Sequence, residues 1–199
     1  RQMCIRDREY VVDNQDGIAS PLGLSGRRLE AKVHLVTSSI NTEQDILTCL
    51  DQVGINVIEF ILEPLASACS VLNQDEMKLG SILIDIGGGT TDIAIFKDGQ
   101  IKTTKVIPVG GDHVTRDIAH ELKTPVEEAE IIKIKHAATL SKLNGSNELI
   151  DVPSVGDREA RKTDRKVLGS VVEQRYEEIF EVIKSEVGKI SLDSLRAGV

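Results

Sequence analysis

The sequence is poor in aromatic residues and in basic charge, and this shortage excludes one class of function. Aromatic residues make up 3% of the 199 residues, tryptophan is absent, and the formal net charge is −8. Proteins that bind nucleic acid carry a basic surface and stack aromatic side chains on the bases. The composition therefore argues against nucleic-acid binding.

Cysteine and long apolar runs are also scarce. The three cysteines, Cys4, Cys49 and Cys69, are odd in number and far apart. A disulfide framework or a zinc site would need cysteines in pairs at short spacing. No apolar run approaches the 18 or so residues of a membrane-spanning helix, and no signal peptide is recognisable. These features predict a reduced, cytosolic, acidic globular protein.

What the sequence does contain is a series of apolar segments with the periods of strands and helices. Two strand–helix pairs come first, in the order 30–37, 41–54, 56–62 and 65–78. Three consecutive strands and two helices follow, at 81–86, 91–96, 100–108, 109–123 and 126–140, and a long amphipathic helix at 164–190. Apolar alternation marks the strands, and apolar positions three and four apart mark the helices. The pattern predicts an α/β fold.

The stretch "IDIGGGTTDIAIF" joins two of these strands through three successive glycines. A tight hairpin needs one or two glycines, whereas a run of them lets backbone N–H groups converge on an anion. Asp85 precedes the run, where a carboxylate suits the water shell of Mg²⁺. The candidate phosphate ligands are Gly87, Gly88, Gly89, Thr90 and Thr91. A strand follows the loop, so it fits neither a P-loop nor a Rossmann motif, and a bulged hairpin without ligand has the same pattern.

The same stretch resembles the second phosphate loop of the actin/Hsp70/sugar-kinase superfamily. Three further segments, "SPLGLSGRRLEAKVHLVT", "KVIPVGGDHVTRDIAHELKTPVEEAEIIK" and "DVPSVGDREARK", resemble the FtsA family of bacterial cell-division proteins. The likeness extends over nearly the whole chain, with the motifs in the family's order. It implies an actin-like (ribonuclease-H-like) ATPase fold, incomplete, with an inserted FtsA-type SHS2 subdomain.

The resemblance also implies roles for individual residues. Glu63 would orient the water that attacks the γ-phosphate of ATP, and Asp85 would hold Mg²⁺, so both would be catalytic. A second glycine turn and an acid–base pair on one helix face would bind the nucleotide; these are Gly110, Gly111, Glu130 and Lys133. For Glu63, a surface residue at a strand end is the alternative, and the spacing of Glu130 and Lys133 also suits an ordinary surface ion pair.

The resemblance further divides the chain into five parts. They are a probable non-native or disordered leader (1–9), the FtsA-specific inserted subdomain (10–55), the remainder of the first actin-like half (56–79), the second actin-like half with the phosphate loop (80–137), and a truncated peripheral subdomain (138–199). The family's first phosphate loop and its adenosine-binding glycine motif are not in this sequence. We therefore expect an internal fragment that binds Mg-ATP weakly or not at all by itself.

The function implied is an ATP-binding scaffold, at most a weak ATPase, at the cytoplasmic face of the cell membrane at the division site. It would self-associate into filaments, bind the C-terminal tail of FtsZ and organise septum assembly. Other division proteins would bind the inserted subdomain, and a C-terminal helix absent from this sequence would contact the membrane.

A basic cluster offers one candidate surface for an acidic peptide. It consists of Arg158, Arg161, Lys162, Arg165 and Lys166. A charged run at the start of a helix is commonly just a solvated face. Two other functions stay open from the sequence, a sugar- or acetate-kinase-like phosphotransferase and a PilM-like adapter of pilus assembly.

Overall fold

The computed structural model describes residues 2–18, 20–140, 142, 148–156, 159–188 and 195–199. Its strands are β1 (Gln2–Val12), β2 (Gln15–Ile18), β3 (Leu29–Ser38), β4 (Ser81–Ile86), β5 (Thr91–Lys97), β6 (Gln100–Ile107), β7 (Leu149–Val152) and β8 (Arg161–Asp164). Its helices are α1 (Ile40–Gln52), α2 (Glu63–Val71), α3 (Gln74–Leu79), α4 (Gly111–Glu121), α5 (Val126–His136) and α6 (Arg165–Val187). The mixed α/β content confirms the predicted class.

The strands form three sheets with the orders β2-β1-β3, β4-β5-β6 and β7-β8. The chain divides into two compact units. The first comprises Arg1–Leu83, Ala94–Thr104 and Asp193–Val199, and the second comprises Ile84–Ile93 and Lys105–Leu192.

In the first unit, a tight turn joins β1 to β2. Its two residues, Asp13 and Asn14, both have positive φ (47° and 70°), which is the backbone of a type I′ hairpin turn. The Asp13 carboxylate also accepts hydrogen bonds from the backbone N–H groups of Arg27 (3.0 Å) and Arg28 (2.8 Å). The turn therefore anchors the chain where it returns to form β3.

Residues 2–9, which the sequence pattern sets apart as a non-native or disordered leader, belong to β1 in the structure. Their backbone pairs antiparallel with β3, and the register shifts between Arg6 and Arg8. This pairing differs from the expected disorder. The physical reason is that strand pairing uses backbone N–H and C=O groups, which a segment without apolar alternation also supplies. A non-native origin for these residues stays a prediction.

Two further segments of the first unit differ from the sequence-based expectation. The predicted strand at 56–62 has no regular structure, and Ile58 is 95% exposed. The single helix predicted over 65–78 is divided into α2 and α3. The division falls at Asn73, whose side chain accepts hydrogen bonds from the N–H groups of Asp75 (3.0 Å) and Glu76 (2.9 Å). This cap begins a new helix.

The core of the second unit lies among α4, α5, α6 and β7. Its buried members are Val114, Ile118, Leu122, Ala129, Ile132, Ile150, Val152, Leu168 and Val172. The helical members lie three or four positions apart within each helical segment, so they face the same side of that helix,. This core holds the two helices that carry the polar site described next.

Two kinds of feature are absent from the described residues. None of the helices there is long and apolar enough to span a membrane. In the same residues, no group of three or more histidine, cysteine, aspartate or glutamate side chains could hold a metal ion.

Candidate functional site

The glycine loop between β4 and β5, residues 87–90, is closed by one backbone hydrogen bond. The N–H of Gly87 donates to the carbonyl of Thr90 at 2.9 Å. Within the described part of the chain, the N–H groups of Gly88 and Gly89 donate no hydrogen bond. Both residues are exposed. The loop therefore presents two successive backbone donors that have no acceptor within the described residues.

The first turn of α4 donates two hydrogen bonds to carbonyl groups of this loop. The N–H of Gly111 donates to the carbonyl of Gly87 at 2.9 Å, and the N–H of Asp112 donates to the carbonyl of Gly88 at 2.8 Å. The N-terminal N–H groups of a helix have no partner within the helix. Here two of them fix the orientation of the loop peptides, and the N–H groups of Gly88 and Gly89 stay available.

The position of Gly110 has no room for a side chain. Its backbone is extended (φ −168°, ψ −160°), a conformation open to any residue. A Cβ there would overlap the Gly87 carbonyl oxygen and lie 2.6 Å from that of Gly88. A Cβ on Gly111 would meet Lys133 Nζ at 3.6 Å, an ordinary contact. The glycine turn expected to bind nucleotide thus packs directly on the glycine loop, and of its two glycines only Gly110 needs the absence of a side chain.

The two threonines of the loop differ in environment. Thr91 is fully buried, and its hydroxyl donates to the carbonyl of Val109 at 2.7 Å. Thr90 is exposed, and its hydroxyl lies 3.5 Å from Asp92 Oδ2. Thr91 therefore ties β5 to the segment before α4, whereas Thr90 keeps a side chain at the surface beside the free N–H groups.

Carboxylates flank the loop. Burial, and then the nearby charge of Asp85, raise the pKa of Asp92, while the Thr90 hydroxyl lowers it. Asp112 Oδ1 lies 3.1 Å from the position that a Cβ on Gly88 would take. An anion at this loop would meet repulsion from these carboxylates unless a cation accompanied it.

The acid–base pair predicted on α5 is present and has a third member. Lys133 Nζ lies 2.6 Å from Glu130 Oε2. It also donates to Thr115 Oγ1 at 2.7 Å and to the Gly111 carbonyl at 3.2 Å. The hydrogen bonds from Lys133 and Thr115 lower the pKa of Glu130. Sequence reasoning missed Thr115, although its position one turn after Gly111 on the same helix was an available signal.

Glu63 is separated from these residues in the division of the chain. It is the first residue of α2, is exposed, and belongs to the first unit, whereas the loop and the α4–α5 pair belong to the second. The second unit therefore brings together the glycines, the threonines, Asp85, Glu130 and Lys133, and it does not contain Glu63.

A polar cleft between α4 and α6, which the sequence did not reveal, lies elsewhere in the second unit. Its volume is about 340 Å³. Arg175 donates two hydrogen bonds to Asp117 (2.5 and 3.0 Å) and one to Glu178 at 2.7 Å. The bond to Asp117 is the main cause that raises the pKa of Arg175. Asp117 and Arg175 are 58 positions apart on different helices, so no local spacing in the sequence indicates that they pair.

The proposed basic cluster is only partly a free surface. Arg161 donates to the carbonyl of Leu122. Arg165 donates to the carbonyl of His136 at 2.7 Å and to Glu148 at 2.6 Å. Arg158 lies outside the described residues. Arg161 and Arg165 therefore make intramolecular hydrogen bonds. Lys162 and Lys166 are exposed.

Comparison with protein families gives two matches. Residues 82–196 match the model for the cell division protein FtsA, and residues 3–37 match that for the SHS2 domain inserted in FtsA. The chain is 53% identical over 188 residues to the cell division protein FtsA of Pseudomonas aeruginosa, covering 94% of this chain and 45% of the relative. It is 41% identical to that of Neisseria meningitidis, covering 96% and 47%. The chain thus spans less than half the length of these relatives.

Solved structures of similar shape have the actin-like ATPase fold. Ethanolamine utilization protein EutJ from Carboxydothermus hydrogenoformans has a TM-score of 0.55 at 25% identity, covering 78% of this chain and 45% of that one. MreB5 of Spiroplasma citri bound to ADP has a TM-score of 0.52 at 17% identity, covering 96% and 73%. The PilM-PilN type IV pilus biogenesis complex has a TM-score of 0.61 at 11% identity, covering 92% and 44%.

Proposed function

This chain belongs to the family of the cell division protein FtsA, and from that membership we propose that it supplies phosphate- and ribose-binding elements of an ATP-dependent cell-division scaffold. The observation that carries the proposal is the loop at residues 87–90, where two free N–H groups are held in place by the first turn of α4. Such an arrangement binds phosphate oxygens by positioned backbone donors.

ATP is the ligand that we propose. The fold is actin-like, and MreB5 of Spiroplasma citri has been solved with ADP and with AMPPNP. In this chain, the N–H groups of Gly88 and Gly89, with the Thr90 hydroxyl, would bind the β- and γ-phosphates. Thr91 and Gly110 would keep the loop in shape. Hydrogen bonds connect the loop through Gly111 to Lys133 and Glu130 on α5. These residues would bind the nucleoside.

Mg²⁺ fits the donor set at the loop. Asp85 and Asp92 provide carboxylate oxygens, the ligands that this hard cation prefers, and Mg²⁺ typically uses one or two protein carboxylates together with waters and substrate phosphates. That habit agrees with a site that lacks three acidic ligands within the described residues. Asp85 would hold the ion through its water shell. When bound, Mg²⁺ neutralises phosphate charge that the neighbouring carboxylates would otherwise repel.

Glu63 and Asp85 are the residues that we propose for ATP hydrolysis. We propose that Glu63, as a carboxylate, orients or deprotonates the attacking water, and that Asp85 assists through the metal ion. Glu63 belongs to the first unit and is exposed at the start of α2. The enzyme would be a weak ATPase in which the nucleotide mainly sets the state of the scaffold.

The wider role follows from family membership. The protein would polymerise at the cytoplasmic face of the membrane, at the bacterial division site, and bind the C-terminal tail of FtsZ there. We propose the division of the chain given above as its domain organisation, except that residues 2–9 belong to β1 and join the inserted subdomain. That subdomain would be the contact for other division proteins. A kinase or a pilus adapter is less well supported, because the SHS2 match at residues 3–37 is to the domain inserted in FtsA.

The cleft between α4 and α6 is the site that we propose for the FtsZ tail. The cleft is lined by Arg175 and His120 together with Asp117, Glu121 and Glu178. A carboxylate of an incoming peptide would pair with Arg175 in place of one of these acidic side chains. The same helix, α6, also has exposed apolar surface, where Phe180 is 51% exposed. A short peptide with acidic and apolar residues matches both features.

Nucleotide binding is tested in a grafted protein, by which we mean the Pseudomonas aeruginosa relative with its matching segment replaced by this chain. We expect calorimetry to give micromolar binding of Mg-ATP. A Cβ at Gly89 would meet no atom within 4 Å, so Gly89→Val should keep the fold and fill the space for phosphate. We expect it to weaken ATP binding at least tenfold, by about 1.4 kcal/mol. Unchanged ATP affinity in a folded Gly89→Val protein would contradict the proposal.

Peptide binding is tested separately with a synthetic FtsZ C-terminal tail. Arg175→Ala should abolish micromolar binding to the grafted protein, whereas Arg116→Ala, which changes an exposed arginine on α4, should leave it intact. If both variants bind the peptide as the unmodified protein does, the cleft is not the docking site, and ATP binding is unaffected by that result.

A further inference from the structure

A buried backbone N–H group lies at the start of α4. Gly110, the residue before the helix, is buried. Its N–H donates to Nδ1 of the His113 ring at 3.2 Å, and the described structure gives it no other acceptor. A buried N–H group that loses its acceptor costs more free energy than one that returns to water. The His113 ring therefore supplies the acceptor on which this turn depends.

The position of His113 in the helix suits this bond. His113 is the third residue of α4, and a side chain there can reach back to the N–H of the residue before the helix, as glutamate or glutamine does in a capping box. The other half of a capping box is a side chain on the residue before the helix. Gly110 has none, and a Cβ there would overlap the carbonyl oxygen of Gly87. The capping of this turn by a side chain therefore depends on His113.

The peptide unit between Val109 and Gly110 is held at both ends. Its carbonyl, that of Val109, accepts from the hydroxyl of Thr91 at 2.7 Å, and Thr91 is a fully buried residue of β5. Its N–H donates to His113. A peptide unit is planar, so hydrogen bonds at its carbonyl and at its N–H together determine its orientation. Thr91 and His113 thus fix this unit from two different elements.

The orientation of this peptide unit affects the glycine loop. The N–H groups of Gly111 and Asp112 follow it along the chain. They donate to the carbonyls of Gly87 and Gly88, at 2.9 and 2.8 Å. Each of these carbonyls shares a planar peptide unit with an N–H group on the opposite side, that of Gly88 or Gly89. The bonds from α4 therefore also set the direction of the two loop donors that have no acceptor within the described residues.

The bond from Gly110 also defines the chemical state of the His113 ring. A ring nitrogen that accepts a hydrogen bond carries no proton, so the neutral ring has its proton on Nε2. A positively charged ring would lose the acceptor at Nδ1 and would lie beside the positive end of the helix dipole. The bond therefore requires the neutral ring with its hydrogen on Nε2.

We propose that His113 is a positioning residue of the phosphate site, which holds Gly110 so that the N–H groups of Gly88 and Gly89 face an incoming phosphate. The inference rests on the proposed nucleotide function and deepens it, because it assigns the shape of the loop to a side chain outside the loop. His113 acts through the backbone and does not contact the nucleotide. The ligand class is a nucleoside polyphosphate, since adjacent backbone donors suit phosphate oxygens.

Calorimetric titration of the grafted protein with Mg-ATP tests this role. His113→Ala removes the acceptor, and the Gly110 peptide must rotate before its N–H finds another one. We expect ATP binding to become about tenfold weaker. His113→Gln supplies a side-chain oxygen that accepts the same N–H group, and it should restore the affinity to within about twofold.

His136→Ala is the matched control. His136 is also a half-buried histidine of the second unit and ends α5, and its ring makes no hydrogen bond within the described residues. Its loss should leave the ATP affinity unchanged. If His113→Ala fails to fold, His113→Leu takes its place, because leucine fills a similar volume and also lacks an acceptor.

Nuclear magnetic resonance tests the hydrogen bond without nucleotide. In the grafted protein with ¹⁵N in its glycines and histidines, we expect a scalar coupling across the hydrogen bond, between the Gly110 amide nitrogen and His113 Nδ1. The ¹⁵N shifts of the ring should show that the proton is on Nε2. A ring that only fills space would give no such coupling.

The outcomes separate this inference from the proposed function. Weaker ATP binding in His113→Ala, with recovery in His113→Gln, supports the inference. Unchanged ATP affinity in a folded His113→Ala or His113→Leu protein overturns it and leaves the nucleotide site standing. Failure of His113→Gln to restore the affinity, or a ring proton on Nδ1, overturns it in the same way. If the unmodified grafted protein does not bind ATP, the proposed function and the inference both fail.

Discussion

Two adjacent glycines illustrate how differently single residues act in this site. A Cβ at Gly110 overlaps loop carbonyls, whereas a Cβ at Gly111 makes only ordinary contacts. We expect Gly110→Ala to lower the free energy of unfolding by about 1–3 kcal/mol, as overpacking does, because the loop or α4 must shift. Gly111→Ala should stay within about 1 kcal/mol of the parent, since alanine suits a helix better than glycine. Urea unfolding of both variants checks this, and equal losses would contradict it.

Asp92 gives a prediction about pH. Burial and the charge of Asp85 raise its pKa. Asp92 is therefore protonated more readily in the folded state than in the unfolded state. A raised pKa contributes stability that is complete below the unfolded pKa and is lost as the pH rises through the folded pKa. At neutral pH the buried charge is therefore a cost, which Asp92→Asn removes.

We expect Asp92→Asn to raise the free energy of unfolding by about 0.5–1 kcal/mol at pH 7, the size usual for relieving unfavourable charge. The gain should shrink as the pH falls towards 4, because the wild-type carboxyl then takes up a proton. Urea titrations of the nucleotide-free chain at several pH values measure it, and a gain that grows towards acid pH would be the contrary result.

At the residue scale, the sequence could indicate candidate ligand-binding residues, but it could not indicate which other residues they contact. The run Gly87–Gly89 with Asp85 and two threonines predicts an anion-binding loop, although a bulged hairpin has the same pattern. The contact of Gly110 with the loop and the hydrogen bond from Thr115 to Glu130 join residues on different elements. Such contacts depend on the packing of helices, which local spacing does not contain.

Among the elements, α6 carries much of the packing of the second unit. Leu168 is fully buried in the cluster formed by α4, α5, α6 and β7, while its neighbour Val167 is 39% exposed. We expect Leu168→Ala to lower the free energy of unfolding by about 2–5 kcal/mol, through lost burial and a residual cavity. Val167→Ala should cost less than about 1 kcal/mol. Chemical denaturation distinguishes them, and similar losses would argue against this packing.

Most elements could be predicted from periodicity, and the exceptions have physical causes. The helices α4, α5 and α6 confirm their predictions, because each has an apolar face that the core covers. The segment 56–62 has the β-branched composition of a strand, yet a strand also needs a hydrogen-bonded neighbour, and the structure assigns it none. Conversely, β1 forms where the pattern is weak, because β3 offers it a complete edge.

For the whole molecule, the order of motifs was more informative than any single motif. Three strands followed by a glycine turn and two helices predict the actin-like fold, and the similar structures confirm it. The division into two units could not be predicted, because it cuts through β4, β5 and β6. No composition change or linker marks such a boundary.

A prediction at this scale concerns the isolated chain. It spans 45% of the Pseudomonas aeruginosa relative, so nucleotide contacts contributed by other segments of that family are not part of it. We expect the 199-residue chain to bind Mg-ATP at least tenfold more weakly than the grafted protein,. Parallel calorimetric titrations measure the difference. Sub-micromolar ATP affinity of the isolated chain would contradict the expectation.

The two hydrogen bonds from α4 to the glycine loop have a consequence for amide hydrogen exchange. The N–H protons of Gly111 and Asp112 face loop carbonyls, whereas those of Gly88 and Gly89 face solvent. In deuterated water the first pair exchanges only when the loop leaves the helix, and the second pair exchanges at once. A phosphate bound at the loop should slow the second pair. The exchange rates of these four amides thus report whether the glycine loop is docked on α4 and whether a phosphate is bound to it.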